Sequence, residues 1–129
     1  MSKKFKLEII SPEKLIYKSE PNEVVIPSYE GYMTILPGHI PLITFLRPGI
    51  IEVTTDQKIN FYIEEGTVEF KENKMLILSN TAKDLKVLTK SEIDKMKAIN
   101  QDLLNGTKLN DKERFILSHK EEILKSISQ

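Results

Sequence analysis

The side chains that could do chemistry in this sequence are few and widely separated. Its two histidines, His39 and His119, have no partner at metal-site spacing, and there is no cysteine to act as nucleophile or thiolate ligand. Two pairs of adjacent acids, Glu64-Glu65 and Glu121-Glu122, could share acid–base work, but neighbouring surface carboxylates are usually only solvated. No glycine-rich loop has the spacing of a phosphate-binding site. The sequence therefore predicts no catalytic residue, no metal site and no bound cofactor.

Length and charge narrow the class of protein further. The chain has 129 residues, enough for one domain, or for one domain with a small appendage. Basic and acidic residues number 19 each, so no net charge attracts nucleic acid or anionic lipid. No apolar run approaches the roughly 18 residues that span a bilayer, and Met1 leads into an alternating pattern without a signal-peptide core. These features predict a soluble, cytoplasmic protein.

The first 88 residues alternate apolar and polar side chains with the period of half-buried strands. Phe5, Leu7 and Ile9 show the alternation first, and turn residues such as Ser11-Pro12 separate the later runs. The later runs are Lys14–Lys18, Glu23–Pro27, Tyr32–Leu36, Leu42–Leu46, Ile50–Val53, Ile59–Ile63, Val68–Phe70, Lys74–Leu78 and Leu85–Leu88. About ten short strands at this spacing predict an N-terminal antiparallel β-sandwich.

Two Pro-Gly dipeptides mark sharp turns within this part of the chain. Pro37-Gly38-His39 stands between two apolar runs, and Pro48-Gly49 stands between the second of these runs and Ile50. Proline restricts φ and glycine accepts positive φ, so both dipeptides are typical of turns that join short strands.

After Thr89 the period changes to that of helices. Thr89 with Glu92 and Asn110 with Glu113 form capping-box patterns, and Asn105-Gly106 is typical of a helix end. The predicted apolar faces comprise Ile93, Met96, Ile99, Leu103 and Leu104 in the first helix and Phe115, Ile116, Ile123, Leu124 and Ile127 in the second. We therefore expect two domains, a β-sandwich over 1–88 and a C-terminal antiparallel two-helix hairpin over 89–129.

The wording around the two Pro-Gly turns resembles a known family. The segment reads E-G-x-x-x-I-L-P-G-H-x-P-L-I-T, followed by x-P-G-x-I-x-V, and is similar to the ε subunit of F-type ATP synthases. The resemblance implies a non-catalytic rotor subunit of the central stalk, which couples the γ subunit to the c ring during proton-driven ATP synthesis. It also implies a peripheral location at the cytoplasmic face of the bacterial inner membrane, with membrane contact only through partners. The sandwich-plus-hairpin layout extends the resemblance over nearly the whole chain.

The resemblance makes the Pro37-Gly38-His39 turn a candidate contact with the γ subunit, although His39 could equally bond only to local backbone. Close by, family members often carry E-G-[ED]-x-G, with an acidic residue after the first glycine and a second glycine two residues later. Here Tyr32 and Thr34 occupy those positions. Tyr32 thus stays an interface candidate. A charge-based contact with the c ring is in doubt, because the acidic residue that family members often carry at this position is absent.

A second motif lies at the start of the predicted hairpin. Ile93, Asp94, Lys97 and Ala98 resemble the I/L-D-x-x-R-A motif with which some bacterial ε subunits bind ATP, with lysine in place of the arginine. Lysine offers a point charge where arginine offers a planar fork. Asp94 could instead be a first-turn carboxylate favoured by the helix dipole, and Ile93 a residue of the apolar face.

Basic residues on the second predicted helix form the third candidate site. Arg114 and Lys120, with Lys112 and Lys125, are either a solvated face paired with neighbouring glutamates or, by resemblance, a contact with the catalytic β subunit that regulates ATP hydrolysis. A rival interpretation of the whole chain is a free-standing β-sandwich that binds a ligand and dimerises through its helical hairpin.

Overall fold

Ten β-strands occupy the first part of the chain in the computed structural model, which describes residues 3–106 and 108–128. Each strand is short, and turn residues such as Glu72-Asn73 separate the strands. The strands are β1 (Lys6–Ile10), β2 (Leu15–Ser19), β3 (Glu23–Ser28), β4 (Gly31–Ile35), β5 (Leu42–Leu46), β6 (Gly49–Thr54), β7 (Lys58–Ile63), β8 (Gly66–Lys71), β9 (Lys74–Leu78) and β10 (Lys83–Asp84). A 3-10 helix, Leu85–Val87, follows directly, so the strand predicted over Leu85–Leu88 is wrong. An apolar run this short cannot be assigned to strand or helix from its spacing alone.

The strands form one sheet in the order β10-β7-β6-β3-β5-β8-β9-β1-β2, with β4 paired to β3 beside this path. Nearly all neighbours are antiparallel, as predicted. The exception is β1, which pairs parallel with β9 from Lys6↔Lys74 to Ile10↔Leu78. Parallel neighbours need a long connection, and here the connection contains all the intervening strands.

The sheet doubles over onto a single core, which confirms the predicted β-sandwich. Strand β2 ends the sheet path and β7 lies near its other end, yet the rings of Tyr17 and Phe61 on these strands are 5.0 Å apart. Alternate side chains from both halves of the sheet point inward. The buried core consists of Phe5, Leu7, Ile9, Val24, Ile26, Ile35, Leu46, Ile51, Val53, Phe61, Ile63, Val68, Phe70, Met75 and Ile77.

Pro37-Gly38 forms a turn and Pro48 forms a bend that leads directly into Gly49 at the start of β6, and each glycine is needed for a different reason. Gly38 has φ +77°, a left-handed conformation that costs other residues energy. Gly49 instead lies against neighbouring side chains, since a Cβ there would stand 2.6 Å from Pro27 Cβ and 3.0 Å from Tyr32 Oη. The second turn is therefore a tightly packed corner between β5 and β6.

The second compact unit, Lys86–Gln129, contains helix α1 (Lys90–Leu104) and helix α2 (Asp111–Ile127). Both predicted capping boxes are formed, with Thr89 and Asn110 as the N-cap residues. The first unit is Met1–Leu85. The predicted domain boundary after residue 88 stays a prediction.

The contact between α1 and α2 is partly polar. Asn100 is fully buried and its Nδ2 donates to the Leu117 carbonyl oxygen at 3.0 Å. The predicted apolar face of α1 included Ile99 and Leu103, but these side chains are 60% and 49% exposed, so that assignment was wrong for both. The face of α1 that contacts α2 instead carries Asn100.

Candidate partner interface

An apolar row crosses the outer face of the sandwich, on the side of the sheet that points away from the core. The register places Phe45 opposite Thr67, Thr67 opposite Leu78, Leu78 opposite Ile10, and Ile10 opposite Leu15. Successive side chains of a strand alternate between faces, so the buried neighbours of these residues point inward while the row points outward.

The row is exposed to solvent. Phe45 is 61% exposed, and Ile43, two residues earlier on the same face of β5, is 72% exposed. Leu15 and Leu78 are also exposed, and Ile10 is half-buried. We call Ile10, Leu15, Ile43, Phe45 and Leu78 the outer strip. Exposed apolar side chains grouped on one face in this way mark sites where another molecule binds.

Sequence reasoning missed the outer strip as a functional feature. Two residues of β5, Leu42 and Leu46, are apolar on the inner side and packed in or against the core, and Ile43 and Phe45 are apolar on the other side. A strand that is apolar on both faces within a two-layered sandwich was the available signal, because the outer face of such a sheet is normally polar.

The Pro37-Gly38-His39 turn is held by contacts with the β8–β9 turn. The Gly38 N–H donates to Asn73 Oδ1 at 2.8 Å, and Asn73 Nδ2 donates to the Lys4 carbonyl oxygen at 3.0 Å. The His39 ring packs edge-on against Phe70 with centroids 5.8 Å apart, and its Nδ1 lies 2.8 Å from the Ile40 carbonyl oxygen. His39 therefore has a local packing role, and its contact with the γ subunit stays a prediction.

Tyr32 lies on β4, and the rest of that strand separates it from the Pro37-Gly38-His39 turn. Its hydroxyl accepts from the Ile50 N–H at 3.4 Å, and the Arg47 guanidinium carbon lies 5.0 Å from the centre of its ring. The sequence places Tyr32 and His39 in one segment, but the structure assigns them to different ends of β4.

The four residues of the ATP-like motif lie along one side of α1 but differ in their exposure. Ile93 is buried, whereas Asp94 and Ala98 are exposed. Lys97 is half-buried and its Nζ donates to Ser128 Oγ at 3.4 Å, near the end of α2. The lysine that stands in for the motif's arginine is thus used within the hairpin.

The basic candidates on α2 also lie apart. Arg114 is exposed and Lys120 is half-buried. They are six residues apart, which places them roughly 120° from each other around a helix. Lys125 pairs with Glu121 at 3.8 Å on the same helix. Arg114 and Lys120 therefore lie on different faces of α2.

One tyrosine has a strongly shifted pKa, and its surroundings explain it. Burial raises the pKa of Tyr62, and the hydrogen bond and charge of Glu64 raise it further, with the Tyr62 hydroxyl donating to Glu64 Oε2 at 2.7 Å. Both effects keep the phenol protonated.

The described residues contain no group of histidines and acids that could hold a metal, and none of their helices could cross a membrane.

The β-sandwich and the chain as a whole are similar to known proteins of one family. Residues 4–84, the span of the sandwich, match the family model described as the ATP synthase delta/epsilon chain β-sandwich domain. A protein of Pelagibacter ubique named ATP synthase epsilon chain is 35% identical over 130 residues, which cover 99% of this chain and all of the relative. The chain belongs to the ATP synthase delta/epsilon family.

Another member of the delta/epsilon family matches a shorter part of the chain. An epsilon chain of Leptospira interrogans is 41% identical over 78 residues, covering 60% of this chain and 61% of the relative. The resemblance drawn from the Pro-Gly segments is thereby confirmed.

Solved structures contain chains of the same fold. A chain in the Euglena gracilis mitochondrial ATP synthase (OSCP/F1/c-ring) aligns with a TM-score of 0.80 at 19% identity, covering all of this chain and 84% of that one. A chain in the Tetrahymena thermophila ATP synthase central stalk and c ring aligns with a TM-score of 0.68 at 12% identity, covering 96% of each.

Proposed function

We propose that this chain is a non-catalytic central-stalk subunit of an F-type ATP synthase, which couples the γ subunit to the c ring during proton-driven ATP synthesis. Family membership supports the rotor role, and the outer strip is the observation that carries the docking function. In this role the chain lies at the cytoplasmic face of the bacterial inner membrane and is held there by its partners.

The energetics of the outer strip support a permanent partner. Covering a large apolar side chain removes it from water and contributes roughly 1.5–3 kcal/mol, so Ile43, Phe45 and Leu78 together offer enough to offset much of the entropy lost on association. The strip lies on strands of a packed sheet, so its side chains are already positioned before docking. We assign the γ subunit as the partner that covers it.

The Pro37-Gly38-His39 turn belongs to the same proposed interface. The turn follows β4 and precedes β5, the strand that carries Ile43 and Phe45. Its backbone is anchored through Asn73, so it presents a rigid surface, and Leu36 and Ile40 on either side are exposed. We propose that this turn extends the contact with γ beyond the outer strip.

Co-purification tests the proposed function directly. The tagged full-length chain, expressed with the γ, α and β subunits of its own synthase, should retain γ through size-exclusion chromatography and should run as a monomer when alone. A free chain that dimerises, or that binds a small ligand and ignores γ, would establish the rival module instead.

The helical hairpin is proposed to regulate ATP hydrolysis by leaving its closed form and contacting the catalytic β subunit through Arg114 or Lys120. The polar contact between the helices supports this, because Asn100 Oδ1 is buried without a hydrogen-bond partner in the described part of the chain. An unsatisfied buried acceptor lowers the stability of the closed pair. The free energy needed to separate the two helices is therefore lower than it would be if their contact were entirely apolar.

Replacing Asn100 with leucine should stabilise the closed hairpin. The variant removes the unsatisfied acceptor and adds apolar contact, so we expect amide hydrogen exchange in α1 to slow about tenfold, corresponding to roughly 1.4 kcal/mol. Lys95→Leu, at an exposed position of the same helix, serves as the control and should leave exchange nearly unchanged. Faster exchange in Asn100→Leu would show that the bond to Leu117 outweighs the unsatisfied oxygen.

ATP should not bind the isolated chain. Lys97 is half-buried and donates to Ser128, so the only cation of the motif is used within the hairpin and is not left for a phosphate group. We expect isothermal titration with millimolar ATP to give only the heat of dilution. A saturable heat that disappears in Lys97→Ala would restore the motif as a nucleotide site.

A further inference from the structure

We infer that Arg47, stacked on Tyr32 at the corner between β5 and β6, is a carboxylate-binding site that receives an aspartate or glutamate side chain of a rotor partner. The inference rests on the proposed function, since it assigns the chemistry of one contact within the same interface.

Three contacts hold Arg47 in place. Its backbone N–H donates to the Pro27 carbonyl oxygen at 3.0 Å, and its Nη1 donates to the Pro48 carbonyl oxygen at 2.8 Å. Its guanidinium carbon lies 5.0 Å from the ring centre of Tyr32, the distance of a cation–π contact. Gly49 packs closely beside Tyr32, since a Cβ there would stand 3.0 Å from Tyr32 Oη. The side chain is therefore oriented before any partner arrives.

The guanidinium keeps most of its donors for another molecule. An arginine side chain has five N–H donors in a planar fork, and the structure uses one of them, toward Pro48. No carboxylate among the described residues forms an ion pair with Arg47. A half-buried, stacked and positioned cation without an acid is complementary to an incoming carboxylate, which the fork can hold through two hydrogen bonds.

The choice of residue supports the same assignment. The chain contains 17 lysines and only two arginines, and Arg47 is the one within the sandwich. A lysine supplies the same charge, but it lacks the planar fork and stacks less well on an aromatic ring. An arginine at this stacked corner in a lysine-rich chain indicates that the geometry of the group matters.

The surroundings indicate a protein partner. Arg47 directly follows β5, so it continues the outer strip at the end where Phe45 lies. Tyr29, at the tip of the β3–β4 turn, is also exposed. Arginine and tyrosine beside an apolar surface are the residue types that dominate protein–protein binding energy. The partner surface should therefore place an acidic side chain next to apolar residues.

Rebinding to a rotor subcomplex tests the site. The γ subunit with its c ring, depleted of this chain, is titrated with wild type, Arg47→Gln, Arg47→Lys and the control Lys58→Gln at low and high salt. Lys58 pairs with Glu52 at the other end of β6, so its loss removes the same charge away from the corner. We expect Arg47→Gln to weaken binding about tenfold or more, Arg47→Lys to weaken it less, and Lys58→Gln to bind like wild type.

Carbodiimide treatment identifies the acid. In the Arg47→Lys complex the new amine should form an amide with a partner carboxylate, giving a cross-linked peptide through position 47 that the wild-type complex lacks. Wild-type affinity and salt dependence in Arg47→Gln would overturn the inference. Arg47-dependent binding of the chain to phosphatidylglycerol vesicles would overturn it in favour of a lipid phosphate.

The two proposals fail in different ways. If Arg47→Gln binds normally while loss of the outer strip abolishes binding, only the carboxylate site is wrong. If wild type does not bind the subcomplex at all, the proposed function itself is wrong. Arg47→Lys keeps the charge and much of the stem, so it reports on the site even where Arg47→Gln lowers the melting temperature.

Discussion

Replacing Ile43 and Phe45 together with serine should weaken binding to the γ subunit about 100-fold or more while leaving the chain folded. Both side chains are mostly exposed in the free chain, so little packing is lost when they are removed. In the complex each would lose roughly 1.5–3 kcal/mol of apolar burial, and each 1.4 kcal/mol is about a tenfold change in affinity. Surface plasmon resonance with immobilised γ measures the change.

Val87→Ser is the matched control for this prediction. Val87 is as exposed as the residues of the outer strip but lies on the 3-10 helix outside it. Its variant should bind γ like wild type. If Ile43 and Phe45 can be replaced without loss of affinity, the outer strip is not the docking surface, and the contact with γ must be sought on another face.

Replacing Phe61 with alanine should lower the free energy of unfolding by about 3–5 kcal/mol. Phe61 is buried in the sandwich core and its ring lies 5.0 Å from that of Tyr17, on a strand from the other half of the sheet. Its removal leaves a cavity where the two halves meet. Domains of this size have a total stability of about 5–15 kcal/mol, so the loss is a large fraction of it. Urea denaturation monitored by circular dichroism gives the value.

Phe45→Ala separates stability from docking. The same substitution at this exposed phenylalanine should change the free energy of unfolding by less than about 0.5 kcal/mol yet weaken γ binding. The Phe61→Ala protein that remains folded should bind γ normally, since Phe61 points into the core. Similar losses of stability in both variants would contradict the assignment of Phe45 to the outer face.

Predictions from neighbouring residues were the ones that the structure confirmed. The capping boxes at Thr89 and Asn110 depend on a side chain three residues further along, and both are formed. The Pro-Gly turns depend on the backbone preferences of two residues. Alternation within five or six residues indicated the strands of the sandwich. Such signals are readable because the interacting groups are close in sequence.

Errors arose where a distant residue decided the outcome. The run Leu85–Leu88 alternates like a strand, but only Lys83 and Asp84 pair with β7 before the chain turns into a 3-10 helix. Ile99 and Leu103 have helical spacing, but the contact with α2 is made by the face that carries Asn100. Spacing shows that a helix has an apolar side without showing which side meets a neighbour.

Some residues of the candidate interface were predicted from the sequence, and others were found only in the structure. Pro37, Gly38 and His39 were recognised because their residue types in this order resemble a family, and the family membership is confirmed. The outer strip and the Arg47–Tyr32 pair were not recognised. Ile43 and Leu78 are 35 positions apart in the chain, and only the strand register places them on one face.

By itself the sequence determined the family, the change from strands to helices along the chain, the turns and the helix caps, because each depends on a short segment. The tertiary structure alone decided which side of β5 faces solvent, that β1 pairs parallel with β9, and that the Arg47 guanidinium lies over the Tyr32 ring. A strand can point either set of its alternating side chains toward the core, and a shift in register of one residue exchanges the inward and outward sets. Pairing between strands that are distant in sequence decides which set faces solvent, so the surface that would meet a partner is a property of the folded chain.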